Sequence, residues 1–259
     1  MTSGTPLPSL FVSHGSPMLS LEPQDRLHQR LLTLAGTLPA RPTAIIVATA
    51  HWITARPMVG AAAAPETIHD FYGFPEPLYR LRYPAPGAPE LAARVAALTG
   101  AGIDADAGID HGVWVPLRLA WPQADIPVVP LAVQPDLGPA HHVALGRALA
   151  PLRAEGVLII GSGGAVHNLR AWRRGGAAED WAVRFDAALT QAAETGDEAA
   201  LCALAATPDG RQSHPSDEHY LPLLVAFGAA GAGARGTTLL DGFVDGSLGV
   251  GCYAFSAAA

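Results

Sequence analysis

Short runs that are apolar at almost every position recur along the first two thirds of the chain. Residues 8–12 (PSLFV), 44–48 (AIIVA), 127–133 (PVVPLAV) and 157–160 (VLII) are each too short for a helix and rich in β-branched residues. That pattern predicts strands buried on both faces, as in α/β sheets with parallel strands. Pro130 lies inside the third run and has no N–H to give to a ladder, which predicts an edge strand or a bulge there.

Helical spacing fills the intervals. Residues 21–38 place Leu27, Leu31, Leu32 and Leu34 at helical positions, and 90–98 place Leu91, Val95 and Leu98 on one face. Residues 139–153 read as a helix carrying His141 and His142. Residues 181–194 read as another, with Val183, Phe185, Ala188 and Leu189 as its buried stripe. A short helical piece is expected over 199–207. A further helix is expected over 218–226, with Pro222 tolerable only in its first turn. His28, His141 and His142 fall on helix surfaces in this reading and take no role.

Residues 65–89 combine proline, glycine and aromatics too densely for a helix or central strand, and predict a long ordered loop. Loops of that length in compact domains tend to shape lids or pockets. Residues 110–116 (DHGVWVP) read as a turn, and 239–255 as one or two final strands around Gly246 and Gly249. No internal repeat or linker is visible, so the 259 residues are read as a single α/β domain over 1–259.

Composition narrows the function. Hydrophobic residues make up 49% and charged residues 15%, enough apolar material for a two-sided core, and the net charge of −7 argues against a nucleic-acid partner. Cys202 and Cys252 sit in no CxxC pair and make no disulfide framework, which fits a reducing, cytoplasmic setting. No apolar stretch approaches the ~18 residues of a membrane span, and no secretory leader is visible.

The candidate chemistry lies in histidines. Three of the apolar runs lead within a few residues into His14, His51 and His167. Ligands of open α/β sheets gather beyond the carboxyl ends of the strands, so three imidazoles from distant segments are expected to meet in one crevice as a metal site. A lone histidine there is usually a loop residue, but independent structural histidines have no reason to share the placement. His219, near the start of the last helix, is the fourth candidate. Neutral imidazole suits Fe, Zn, Cu and Ni alike. Gly161-Ser162-Gly163-Gly164 is neither a nucleophile elbow nor a P-loop, since the residues those motifs require are missing.

The order His14-Gly15-Ser16-Pro17, Ala50-His51-Trp52, Thr67-Ile68-His69-Asp70-Phe71-Tyr72-Gly73-Phe74-Pro75, Asp110-His111-Gly112-Val113-Trp114, Gly161-Ser162-Gly163-Gly164-Ala165-Val166-His167-Asn168-Leu169 and Glu218-His219-Tyr220-Leu221-Pro222 resembles the class III extradiol ring-cleavage dioxygenases. The match is to their DODA-type (DOPA 4,5-dioxygenase-like) branch. The resemblance runs from about residue 8 into the tail. It implies a three-layer α/β/α domain around a mostly parallel or mixed sheet. It also implies a non-haem metal enzyme, with Fe(II) for activity and Zn(II) as a possible bound metal. Such an enzyme inserts both atoms of O2 into a catechol beside its hydroxyls and yields a muconic semialdehyde.

The same resemblance implies His14, His51 and His219 as metal ligands. It implies His167 as acid–base catalyst and, in zinc-loaded members, a further ligand. His111 is read as a catalytic or substrate-positioning group, and His69, Phe71 and His214 as substrate-binding. Relatives of the protocatechuate type use a glutamate as third ligand. Here Glu218 directly precedes His219, and neighbours on a helix point about 100° apart, so His219 is chosen alone. The expected partners are a small catechol and O2, with no nucleic acid or membrane, in a monomer or homodimer. A zinc hydrolase using the same histidines, or a non-catalytic Memo-like protein on the same fold, are the competing readings.

Overall fold

Side chains alternate across each central strand, and that alternation builds the layers. The computed structural model describes residues 6–257. Its strands are β1 Ser9–Ser13, β2 Ala44–Ile53, β3 Met58–Gly60, β4 Gly102–Asp104, β5 Val128–Val133, β6 Val157–Gly163, β7 Ala234–Leu240, β8 Phe243–Val244, β9 Leu248–Gly249 and β10 Cys252–Ala257. Leu10, Val12, Ile45, Val47, Leu158 and Ile160 enter one apolar cluster with the helices Arg26–Leu34 and His111–Ala120. Their neighbours Phe11, Ile46, Ala48 and Ile159 enter clusters on the opposite face. Successive side chains of a strand point to opposite faces, so helices cover both sides of the sheet. The result is the three-layer α/β/α arrangement expected.

The sheet has eight strands in the order β4-β3-β5-β2-β6-β1-β10-β7. Strands β5, β2, β6 and β1 run parallel, whereas β10 runs antiparallel to β1 and β7. A parallel centre with an antiparallel flank makes the sheet mixed. It also lines up the carboxyl ends of β1, β2 and β6 along one edge. The hairpin β8–β9 leaves the sheet and bridges to Val166 and Trp172 through Gly249 and Gly246.

Several expectations are corrected. Residues 110–116 are not a turn: His111–Ala120 is a helix capped by the Asp110 carboxylate on the Gly112 N–H. Pro116 sits inside it, and proline in a helix interior removes one i→i−4 bond, which made the segment read as broken. Strand β5 is not an edge. Its pairing to β3 is nevertheless the single pair Val59–Leu131, beside Pro130. The 65–89 loop carries a helical turn at Glu76–Tyr79. The tail holds β7 to β10 instead of one or two strands, and the short strands β3 and β4 were not anticipated. Val183 and Leu98, assigned to buried faces, are exposed. No described helix is long and apolar enough to cross a membrane.

His28 and His142 are buried, not on helix surfaces. Each earns its place with hydrogen bonds: His28 Nδ1–H donates to the Leu19 carbonyl at 2.7 Å. His142 Nδ1–H donates to the Gly138 carbonyl at 2.7 Å, and its Nε2 accepts the Gln134 N–H at 3.1 Å. A proton on Nε2 would face that N–H. Burial, helped by His141 and opposed by the Gly138 bond, pushes the His142 pKa down to about 4.

Because the unfolded chain binds this proton at about pH 6.5, the unfolded state holds more protons between pH 6.5 and 4. Stability should be fully present above 6.5 and fall by about 3 kcal/mol as pH drops through that window. Urea melts from pH 7 to 4 should show this loss on top of that from the other buried histidines, and His142→Gln should reduce the total slope by about that amount. An equal slope in both proteins would remove His142 as a contributor.

Candidate metal centre and active-site cavity

His14 lies one residue past β1, His51 near the end of β2, and His167 four residues past β6. His219 closes a 3₁₀ turn, Asp217–His219, ahead of the helix Leu221–Ala229, whose second residue is Pro222. Backbone bonds strap these segments together. The His14 N–H donates to the Gly163 carbonyl at 3.0 Å, and the Gly164 N–H to the His219 carbonyl at 3.0 Å. The His167 N–H donates to the Ser213 carbonyl at 2.9 Å.

Five imidazoles converge. Ring centroids of His14 and His51 are 4.8 Å apart, and His219 lies 5.4 and 5.0 Å from them. His111 lies 4.0 Å from His51 and 5.4 Å from His14. His167 stacks on His219 at 3.5 Å and 6°.

Outer partners fix which nitrogen of each ring is free. Pro116 cannot donate to the Gly112 carbonyl four residues back, and Ser162 Oγ donates to that carbonyl instead. Its proton thus committed, Ser162 Oγ accepts the His14 Nδ1–H at 3.0 Å. Asp70 accepts the His111 Nδ1–H at 2.9 Å and faces His51 Nδ1 at 3.4 Å. Glu218 accepts the His219 Nδ1–H at 3.0 Å. For His14, His111 and His219 the Nδ1 bond leaves Nε2 with its lone pair, the arrangement typical of metal-binding histidines.

Two features fit a cation at this point. His14 Nε2 and His51 Nε2 face each other at 3.0 Å, close enough for one cation to take both at about 2.0–2.1 Å. His219 Nε2 is buried with no partner among the described residues, and an unsatisfied buried acceptor is costly. His14, His51 and His111 offer ligand atoms within 4.8 Å of one another, as do His167, Glu218 and His219.

Electrostatics disfavour the protonated forms of His14, His51 and His167. Burial, then the charges of His51, His219, His111 and His167, holds His14 well below its ordinary pKa. Burial and then repulsion from His111 and His219 push His51 to about 2, despite attraction from Asp70. His167 falls to about 3 through burial and its neighbours His219 and His214. The carboxylates stay ionised. The His219 hydrogen bond outweighs burial and holds Glu218 at about 2. Burial would raise Asp70, but its bonds and attraction to His111 outweigh this and bring it to about 2.

The histidines line a cavity of about 830 Å³, with Phe71, Phe74, Leu169 and Trp172 on its walls. Among its described lining residues Arg174 is the one arginine or lysine. Of the residues singled out in the sequence, His14, His51, His111, His167, His219 and Phe71 line this cavity. His69 and His214 do not. His69 Nε2–H donates to the Leu81 carbonyl at 3.0 Å, and its ring packs behind Phe71 and Trp114. His214 is buried, donates through Nε2–H to the Ala165 carbonyl at 3.0 Å, and packs against Phe185 and Tyr220. Asp70, Ser162 and Arg174 had been given no role. Asp70 and Ser162 reach the site through partners distant in sequence. The one local signal was Asp70's place beside His69 in the aromatic loop motif.

A mixed α/β/α sheet with a crowded histidine cluster at its carboxyl edge defines a class, and comparison with known proteins gives the family. Residues 8–241 match the family described as the catalytic LigB subunit of aromatic ring-opening dioxygenase. The chain belongs to this family of metal-dependent enzymes, in the DODA-type branch of the class III extradiol ring-cleavage dioxygenases. It is 41% identical over 258 residues to a 4,5-DOPA dioxygenase extradiol of Beta vulgaris, covering 96% of each chain. It is likewise 41% identical over 256 residues to a 4,5-DOPA dioxygenase extradiol of Escherichia coli (strain K12), covering 95% of this chain and 93% of that one. The crystal structure of an uncharacterized protein from Escherichia coli K12 superposes with a TM-score of 0.80 at 34% identity, over 96% of this chain and 99% of the other.

Proposed function

We propose that the chain, acting as one catalytic domain over 1–259, cleaves the ring of a side-chain-bearing catechol with O2 beside its two hydroxyls, giving a muconic semialdehyde. Fe(II) is the metal we assign to turnover, with Zn(II) able to occupy the same imidazoles. The observation that carries this reading is the convergence of imidazole Nε2 atoms at a cavity that also carries Phe71, Phe74, Leu169 and Trp172 on its walls. Two relatives bear the name of a DOPA dioxygenase, and DOPA is a catechol carrying an amino-acid side chain.

His14, His51 and His219 would hold the metal. When bound, Fe(II) supplies electron transfer between an ionised catechol and O2 and lowers the pKa of the coordinated hydroxyls. His111, with Nδ1–H committed to Asp70, presents Nε2 to the cavity and accepts a hydroxyl proton there. His167 has no hydrogen-bonded carboxylate partner among the described residues and stacks on His219, and it is the group we assign to move a proton as the ring opens. Phe71 and Phe74 form an aromatic wall against which a ring can pack. The free cysteines Cys202 and Cys252 suit a reducing compartment such as the cytoplasm.

Arg174 offers a planar fork that suits a carboxylate, and supports a substrate with an anionic side chain. The test is O2 uptake and semialdehyde absorbance with Fe(II)-reconstituted protein on catechols with and without a carboxylate. Turnover of the carboxylate-bearing ones is expected. Arg174→Ala should raise their KM by about 10- to 100-fold and leave plain catechol unchanged. No O2 uptake with any catechol, despite bound metal, would point instead to a zinc hydrolase or a non-catalytic protein.

A further inference from the structure

Asp70 stands apart from the other outer partners of the cluster because its carboxylate bonds one imidazole and faces a second. Its Oδ1 accepts the His111 backbone N–H at 2.9 Å. Both its oxygens lie 2.9 Å from His111 Nδ1. Its Oδ2 is 3.4 Å from His51 Nδ1. Ser162 and Glu218 each meet one ring. Asp70 comes from the long loop, whereas His51 ends β2 and His111 opens a helix. Three separate elements therefore meet at one carboxylate.

The geometry points to Asp70 as a positioning residue that locks His51 and His111 together in the Nδ1–H tautomer, keeping both Nε2 lone pairs turned to the metal site. The inference rests on the metal reading of the cluster. Only an acceptor on both oxygens can serve the two rings at once. An asparagine that keeps its oxygen on the His111 side must turn its NH2 toward His51 Nδ1. That N–H needs an acceptor, so the His51 proton would move to Nε2 and point at the metal site. Asp70→Asn should therefore damage His51 selectively while leaving the His111 contacts in place, and Asp70→Ala should release both rings.

Long-range ¹H–¹⁵N NMR of the histidine rings in the Zn(II)-loaded protein reads the tautomers directly, and Zn(II) competition with a chromophoric chelator reads affinity. In the unmodified protein both His51 and His111 should carry the proton on Nδ1. In Asp70→Asn, His51 should switch to Nε2–H while His111 does not, and Zn(II) affinity should fall about 10- to 100-fold. A role confined to loop stability would lower the melting temperature and leave tautomers and affinity untouched, which would overturn the proposal. So would Nε2–H on His51 in the unmodified protein, a result that needs no variant to fold. Neither readout requires turnover, so a failure to cleave catechols would count against the proposed function and leave this inference standing on its own test.

Discussion

His219→Ala is expected to abolish turnover and to weaken metal binding more than any change to an outer partner. Those outer partners are typically worth about 10- to 100-fold in affinity, so removing a direct ligand should exceed about 100-fold. The buried, unpartnered Nε2 of His219 is the atom lost. The measurement is the melting temperature with and without Zn(II). Ligand binding to the folded state raises it by mass action, so the metal-induced rise should collapse in the variant. His167→Ala offers the contrast, with metal retained and ring cleavage lost. A variant at 219 that keeps both the metal-induced rise and turnover would remove His219 from the ligand set.

Gly163→Ala should damage the site while touching no charge or ligand atom. A Cβ on Gly163 would fall on the His219 carbonyl oxygen, and one on Gly161 would fall on the Pro222 carbonyl. Both clashes are with backbone, which cannot rotate aside, so strand β6 and the 3₁₀ turn bearing His219 would have to separate. Overpacking at a rigid site costs about 1–3 kcal/mol, occasionally more, and the upper end is expected here. Because the Gly164 N–H also holds the His219 carbonyl, the displacement should pass directly to the ligand proposed at His219. Urea unfolding together with Zn(II) titration checks this, with both stability and affinity expected to fall. A variant with normal stability and affinity would show that the strand and turn are not held in contact.

The glycine-rich stretch illustrates what the sequence could convey. Its failure to match a phosphate loop or nucleophile elbow was legible, but its positive role was not, because close approach of two backbones leaves no signature beyond small residues. The strands β1, β2, β5 and β6 were legible because burial on both faces demands apolar side chains at nearly every position. His14, His51 and His167 followed from them, since parallel strands place their carboxyl ends along one edge. The helix at His111–Ala120 was hidden by Pro116, and the burial of His28 and His142 by polarity that local carbonyls satisfy. Asp70 meets His111 across 41 residues, a distance at which spacing carries no information. His69 shares a motif segment with the cavity residues Phe71 and Phe74 and His214 lies five residues before His219, yet both point into packing behind the cavity wall.

The most direct test of ring cleavage is the mass of the product formed by Fe(II)-loaded protein from a carboxylate-bearing catechol under ¹⁸O2. Extradiol cleavage places both atoms of one O2 molecule in the opened ring, so the semialdehyde should be four mass units heavier once exchange of the aldehyde oxygen with water is prevented by rapid reduction. An unlabelled product, or labelled peroxide beside an intact ring, would contradict the account.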